Sequence, residues 1–251
     1  MNAVFNLSLP TSWDELTDRQ LLLVFTLLTR DGLTSPELKA LCLMKWNRLR
    51  VIASLPDKRF LIKSPSQEVV LTARQIQQAT TTLDFLDQIP PRPIRIGQIG
   101  KHRALPADFE KVPFQKYLFV ENLFQGYLNT QSEELLLQMA QILYESDHVK
   151  PTPAHLIGVF YWMASLKQYF AEQFPNFYRP ASPDNGNLLG SESANMYRKL
   201  TDTTNSMIRA LTGGDITKEA AILQMDTWRA LTELDAKARE AEELRNATKK
   251  K

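Results

Sequence analysis

The sequence predicts a mainly α fold: a multi-helix orthogonal array with one small β-hairpin. Three observations carry that expectation. Thr-x-x-Glu/Gln capping signatures stand before apolar runs, apolar residues recur every three to four positions through most of the 251 residues, and two short β-branched runs flank a Ser-Pro-Ser turn. With 43% hydrophobic and 23% charged residues, the composition is that of a globular protein, and a chain of this length can bury a core without a disulfide or metal staple.

The elements follow in order. Thr17-Asp-Arg-Gln20 is a capping box with Leu16 and Leu21 placed as a hydrophobic staple, so a helix begins near Asp18 and buries Leu21, Val24, Phe25 and Leu28. Gly32 suits the position just past a helix end. Thr34 with Glu37 opens a second helix, with Pro36 in its first turn, that runs to about Arg48 and turns Leu38, Leu41, Cys42 and Trp46 inward. Arg59-Phe-Leu-Ile-Lys63 and Glu68-Val-Val-Leu71 form the hairpin, expected to be the only sheet. Thr72 with Gln75 caps a third helix with the stripe Ile76, Ala79, Leu83 and Leu86.

Pro90, Pro91, Pro93 and Pro106 make the stretch from Ile89 to Val112 an ordered but irregular connector. Helices resume at Pro113. One ends near Asn129, and Thr130 with Glu133 is the expected cap of the next, whose stripe is Leu136, Met139, Ala140 and Leu143. Thr152-Pro153 opens the most apolar helix, reaching Gln173 with Phe160, Trp162, Met163, Leu166 and Phe170. Residues 179–193, rich in Pro, Gly, Ser and Asn, read as a loop or boundary. Beyond lie a helix from about Ala194 to Leu211, a Gly213-Gly214 turn, a short helix from Ile216, and a terminal helix capped by Asp226. Its inward stripe is Trp228, Leu231, Leu234 and Ala238, and past Ala241 it is expected to fray. The expected domains are 1–72 (helix pair plus hairpin), 73–180 (helical core) and 181–251 (loop and C-terminal helices).

A net charge of +2 hides an uneven distribution. From Glu37 to Lys63 seven basic residues stand against two acids, whereas Tyr117 to Val149 carries five acids and no Lys or Arg. Such asymmetry marks a nucleic-acid footprint or complementary packing between subunits. Two helices joined by Asp31-Gly32-Leu33-Thr34, with Lys39, Lys45, Arg48 and Arg50 on or after the second and a hairpin behind, have the parts of a winged helix-turn-helix. With Lys101 and Arg103 they are the candidate residues of a DNA-binding alternative, a packaging or regulatory protein. Glu37, an acid in the would-be reading turn, weighs against it.

Chemistry-bearing signals are sparse. His102, His148 and His155 have no partner at metal-ligand spacing, and HExxH, CxxC and GxSxG are missing, so no catalytic residue, metal or cofactor is expected. Cys42, the lone cysteine, falls on a buried helix face. Gly97-Gln-Ile-Gly100 before Lys101, His102 and Arg103 has the outline of a phosphate-cradling loop, but Pro106 stands where a helix should open. No run reaches the roughly 18 apolar residues of a membrane span, and the first residues lack a basic-then-apolar leader, so the expected location is a cytoplasm. The dense apolar segments are the remaining candidates. Trp162 and Met163 lie where apolar residues cover more than one helix face, and with Trp228, Leu231 and Leu234 they are the expected partner-binding residues.

The run Ile208-Arg-Ala-Leu-Thr-Gly-Gly-Asp-Ile-Thr-Lys-Glu219, followed by Met225-Asp-Thr-Trp228 and Leu231-Thr-Glu-Leu-Asp-Ala-Lys237, resembles the tail-assembly and tape-measure-chaperone proteins of tailed phages and prophages. Leu9-Pro-Thr-Ser-Trp-Asp-Glu-Leu-Thr-Asp18 and Gly126-Tyr-Leu128 are similar to segments of proteins from Bacteroidales prophage-like elements. The resemblance implies a non-enzymatic chaperone that covers the apolar stripes of a helical tape-measure partner until the tail tube polymerises around it. A homo-oligomer and a virion neck or connector subunit stay open at this point.

Overall fold

The computed structural model describes residues 7–178 and 192–249. It is mainly helical, with one three-stranded and one two-stranded antiparallel sheet among these residues. Packing divides the chain into two compact units that are not consecutive in sequence. Unit 1 takes the chain to Pro90, with Ile94–Gly97 and Pro151–Tyr161; unit 2 takes Pro91–Pro93, Gln98–Lys150 and the chain from Trp162 onward. Three successive segments were expected instead. The difference arises because the proline-rich connector and the long apolar helix each contribute residues to both units.

In unit 1 a short 3-10 turn, Trp13–Glu15, precedes α1 (Asp18–Leu28) and α2 (Ser35–Trp46). Both helices begin at the expected caps. Thr17 Oγ1 accepts from the Gln20 N–H while the Gln20 side chain accepts from the Thr17 N–H, and the Glu37 carboxylate accepts from the Thr34 N–H (2.9 Å) and hydroxyl (2.7 Å). Leu28, expected inside, is exposed, and Leu27 takes the buried place. The sheet then holds β1 (Arg50–Leu55), β2 (Arg59–Lys63) and β3 (Glu68–Thr72) in that order. The expected hairpin is therefore joined by an edge strand. Its turn uses Asp57 and Lys58 at φ of 60° and 55°, left-handed positions that this residue pair does not advertise as Asn-Gly would. The Thr72–Gln75 box opens α3 (Ala73–Thr80), and a 3-10 stretch, Thr81–Asp87, carries Leu83 and Leu86 into the core. Trp13, Phe25, Phe85 and Tyr161 form its aromatic centre, with Trp13 edge-on to Phe85 at 5.7 Å and Phe25 and Tyr161 centred 5.3 Å apart.

Unit 2 begins in the connector, where β4 (Gln98–Ile99) and β5 (His102–Arg103) make a second, unexpected hairpin. α4 (Phe114–Thr130) ends at Gln131 with φ 56°, so Thr130 closes α4 rather than capping α5 (Glu133–Leu143), whose N-cap position is Ser132. α6 (Pro153–Gln173) gives its residues from Trp162 onward to this unit. Residues 179–191, most of the expected loop, lie outside the described residues, and α7 (Glu192–Thr212) begins at Glu192. A 3-10 turn (Ile216–Lys218), α8 (Glu219–Leu223) and α9 (Thr227–Lys249) follow. α9 starts as expected with the Asp226 carboxylate accepting from the Arg229 N–H, but it continues helical past Ala241 to Lys249.

The core of unit 2 generates a first prediction. Leu231, fully buried on α9, should cost about 2–5 kcal/mol when truncated to Ala, as deletions of buried leucine do. Urea unfolding followed by tryptophan fluorescence measures it, and removal of the exposed Ala247 should leave the midpoint unchanged.

Candidate functional site

Sequence motif and surface exposure coincide at the Gly-Gly turn between α7 and α8. The hydroxyl of Thr212 donates to the Arg209 carbonyl and accepts from the Gly214 N–H, both at 3.3 Å. Gly213 and Gly214 take φ of 64° and 86°, where a Cβ is strained. Asp215 then caps the 3-10 turn: its carboxylate accepts from the Thr217 N–H (3.0 Å) and hydroxyl (2.6 Å), with the Lys218 ammonium 3.3 Å away. Hydrogen bonds from Thr217, with the contact to Lys218, hold the Asp215 carboxyl below the usual aspartate range. The backbone is thus bonded on both sides of Ile216, whose side chain is 80% exposed. Ile216 was not among the expected site residues. The available signal was an aliphatic residue directly after a capping Asp in an otherwise polar turn.

The residues expected at a partner surface are turned inward. Trp162, Met163, Leu231 and Leu234 are buried, and Trp228 is half-buried. The Trp162 indole donates to the Ala107 carbonyl (2.7 Å) and the Trp228 indole to the Asp108 carbonyl (2.8 Å). Trp228 also packs edge-on against Phe170 and Phe174, with centroids 5.6 and 5.4 Å apart. The stripe of α9 was read correctly as a face that needs covering, and Trp228, Leu231 and Leu234 are covered within the protein, Trp228 by Tyr169 and Phe170 of α6 and by Phe174 just after it.

The nucleic-acid set is divided. Lys39 is buried, with its ammonium 2.6 Å from Asp84 and 2.5 Å from Asp87, so it has no charge left for a phosphate. Lys45, Arg48 and Arg50 are exposed in unit 1, whereas Lys101 and Arg103 are exposed on the β4–β5 hairpin of unit 2. That hairpin accounts for the GxxG run: Ile99 pairs with His102 and Gly100 supplies a φ of 59° at the turn. Burial pushes the Cys42 thiol up to about 12, far from thiolate reactivity at neutral pH. Among the described residues no three of His, Cys, Asp and Glu converge as metal ligands, and no helix is long and apolar enough to cross a membrane.

The Lys39 pair sets a pH dependence. Bonds from Lys39 and Ser35 hold Asp87 below its ordinary value of 3.8, so its stabilisation is complete above that value and is lost as pH falls through the lower folded one. Burial alone would lower Lys39, but the bonds to Asp84 and Asp87 raise it above 10.5, so its share is lost only as pH rises through the raised value. Lys39→Met should flatten the acid limb of a stability–pH curve below about pH 5, because Asp87 loses the bond that lowers it most and keeps only the one from Ser35. Urea midpoints across that range measure it. The same substitution should leave duplex DNA affinity unchanged, in the non-specific range of roughly 10⁻⁴ to 10⁻⁶ M.

The chain matches no protein-family model, no curated protein and no solved structure.

Proposed function

We propose that the chain is a non-enzymatic assembly factor that binds a helical protein partner, in the manner of the tape-measure chaperones of tailed phages and prophages. Ile216 carries this reading. It lies inside the Ile208–Glu219 run that resembles those proteins, and it is a large aliphatic side chain held out on a hydrogen-bonded turn. Monomeric surfaces tolerate scattered apolar residues, but a rigid backbone behind an exposed one lowers the ordering cost of inserting it between the side chains of a partner helix. Phe119 and Leu128 on α4 and Leu244 on α9 add exposed apolar area within the same unit. The DNA-binding alternative is weakened because Lys39, central to its basic set, is neutralised internally.

Co-expression with the tape-measure protein of the same genome tests the reading. The expected result is a soluble complex that co-elutes on size exclusion. Ile216→Asp should abolish it without moving the thermal unfolding midpoint, since so exposed a side chain contributes little to its own fold. A tape-measure protein that stays insoluble, or a complex that survives Ile216→Asp, would overturn it.

A further inference from the structure

Pairing in the three-stranded sheet sorts its side chains by face. Arg50, Lys63 and Glu68 form one cross-strand row; Ala53, Leu61 and Val70 form the next on the same face, and Leu55, Arg59 and Thr72 the third. The opposite face carries Phe60, Ile62, Val69 and Leu71 and includes the fully buried Ile62, so the first face is the outward one. Val70 is 44% exposed, and Arg50, Arg59, Lys63 and Glu68 are exposed as well. The outward face of an antiparallel sheet is ordinarily polar. Here an apolar row crosses its middle, with three cations around it against Glu68 and Asp57, the latter 3.8 Å from Arg59. Val51, opposite Ile62, belongs to the other face, and Ile52, 50% exposed, is the unpaired residue of the bulge at the β1 edge. The bulge between Val51 and Ala53 disrupts the ladder there, which disfavours addition of another strand at the β1 edge.

We propose that this face docks one amphipathic helix of a partner protein, a helix whose apolar stripe is bordered by Asp or Glu. The inference deepens the assembly-factor reading and rests on it. Size selects a helix. Three strands spaced about 4.8 Å apart make a row some 10 Å across, and five strand residues run about 17 Å. A helix about 10 to 12 Å wide covers that area in three turns, roughly 16 Å. Charge selects the border: Arg50, Lys63 and Arg59, the last lying 3.8 Å from Asp57, outnumber Glu68 and Asp57, so carboxylates flanking the stripe find partners while Lys or Arg would be repelled. A nucleic acid fits less well, since the Ala53–Leu61–Val70 row offers a phosphate nothing and Glu68 opposes it.

The full chain would be titrated, by fluorescence anisotropy, against two synthetic helices of about three turns that share a Leu stripe and differ only in Glu or Lys borders. The Glu-bordered helix should bind with an affinity that falls as salt rises. Arg59→Glu with Lys63→Glu, and separately Val70→Asp, should each weaken it by about tenfold or more, while Ile216→Asp changes nothing. Thermal midpoints of both variants check that the sheet persists. Equal binding of the Lys-bordered helix, or unchanged affinity in the folded variants, overturns the proposal; so does a selective loss of duplex DNA binding in them. The two readings fail separately. A tape-measure complex that survives the sheet variants removes this surface and keeps the function, whereas Glu-bordered binding lost in the sheet variants, with no tape-measure complex, keeps the surface and removes the function.

Discussion

A buried carbonyl that belongs to neither helix nor strand must find a donor elsewhere, and the proline-rich stretch of this chain depends on meeting that requirement. Two tryptophan indoles meet part of it, Trp162 donating to Ala107 and Trp228 to Asp108, and just ahead of the stretch Trp13 donates to the carbonyls of Gln88 and Phe85 (3.1 and 2.9 Å). Thr227 adds its N–H and hydroxyl to the Val112 carbonyl (2.9 and 2.7 Å), while the Phe114 N–H returns a bond to Met225 (2.8 Å). The start of α9 and the end of the connector are therefore stitched together by backbone and side chain at once. This is why a stretch broken by prolines is ordered without regular structure, and why the first turn of α9 cannot leave without stranding acceptors. Trp46 behaves differently: its indole N–H is buried with no partner among the described residues.

The second constraint is the apolar circumference of α6. A helix with Trp162, Met163, Leu166 and Phe170 all buried has to be covered on several sides, and two such sides are visible within unit 2. Phe109 and Tyr144 meet Trp162 edge-on, while Tyr117, Phe174 and Trp228 surround Phe170. Polar attachments tie α4 to α6 and to the residues just after it. Lys167 pairs with Glu121, and the Tyr117 and Tyr178 hydroxyls bond at 2.5 Å, where burial raises both phenols above their usual range. Within unit 1 the same helix uses absence of bulk. A Cβ on Gly158 would sit 3.1 Å from the Phe25 ring, so glycine there is what permits the close approach.

Features set by a few neighbouring residues were legible in the sequence. The boxes at Thr17, Thr34 and Thr72 each need only the residue three positions on, and all three form. The Gly213-Gly214 turn and the Asp226 cap are of the same kind. What escaped were features decided by partners far along the chain. β1 was hidden because its turn uses Asp57-Lys58, and the role of Lys39 was hidden because its two acids stand 45 and 48 positions away. Trp228, Leu231 and Leu234 were assigned to the right helix face, yet periodicity states only that a face needs covering. Whether α6 or another protein covers it is a tertiary fact. Ile216 escaped for the opposite reason, since a single aliphatic residue in a polar turn has no period to detect.

The exposed surface obeys a division between side chain and backbone. Apolar side chains are presented at Ile216, Val51 and Ile52, while the backbone beside Ile216 is bonded by the Asp215 cap and the β1 ladder beside Val51 and Ile52 is interrupted by a bulge. An open strand edge beside such residues would recruit any extended chain, including a second copy of the same edge, because ladder bonds carry no sequence preference. In the assembly-factor reading proposed above, contacts through side-chain shape and charge, rather than ladder bonds, are what would discriminate among partners. Arg59 and Lys63 beside the Leu61–Val70 row then add a penalty for the wrong sign of charge that an apolar surface alone does not carry. The proposed role would gain from this arrangement, since a contact made by a few side chains on a rigid frame can be tight enough to be selective without becoming the near-irreversible pairing of strand on strand.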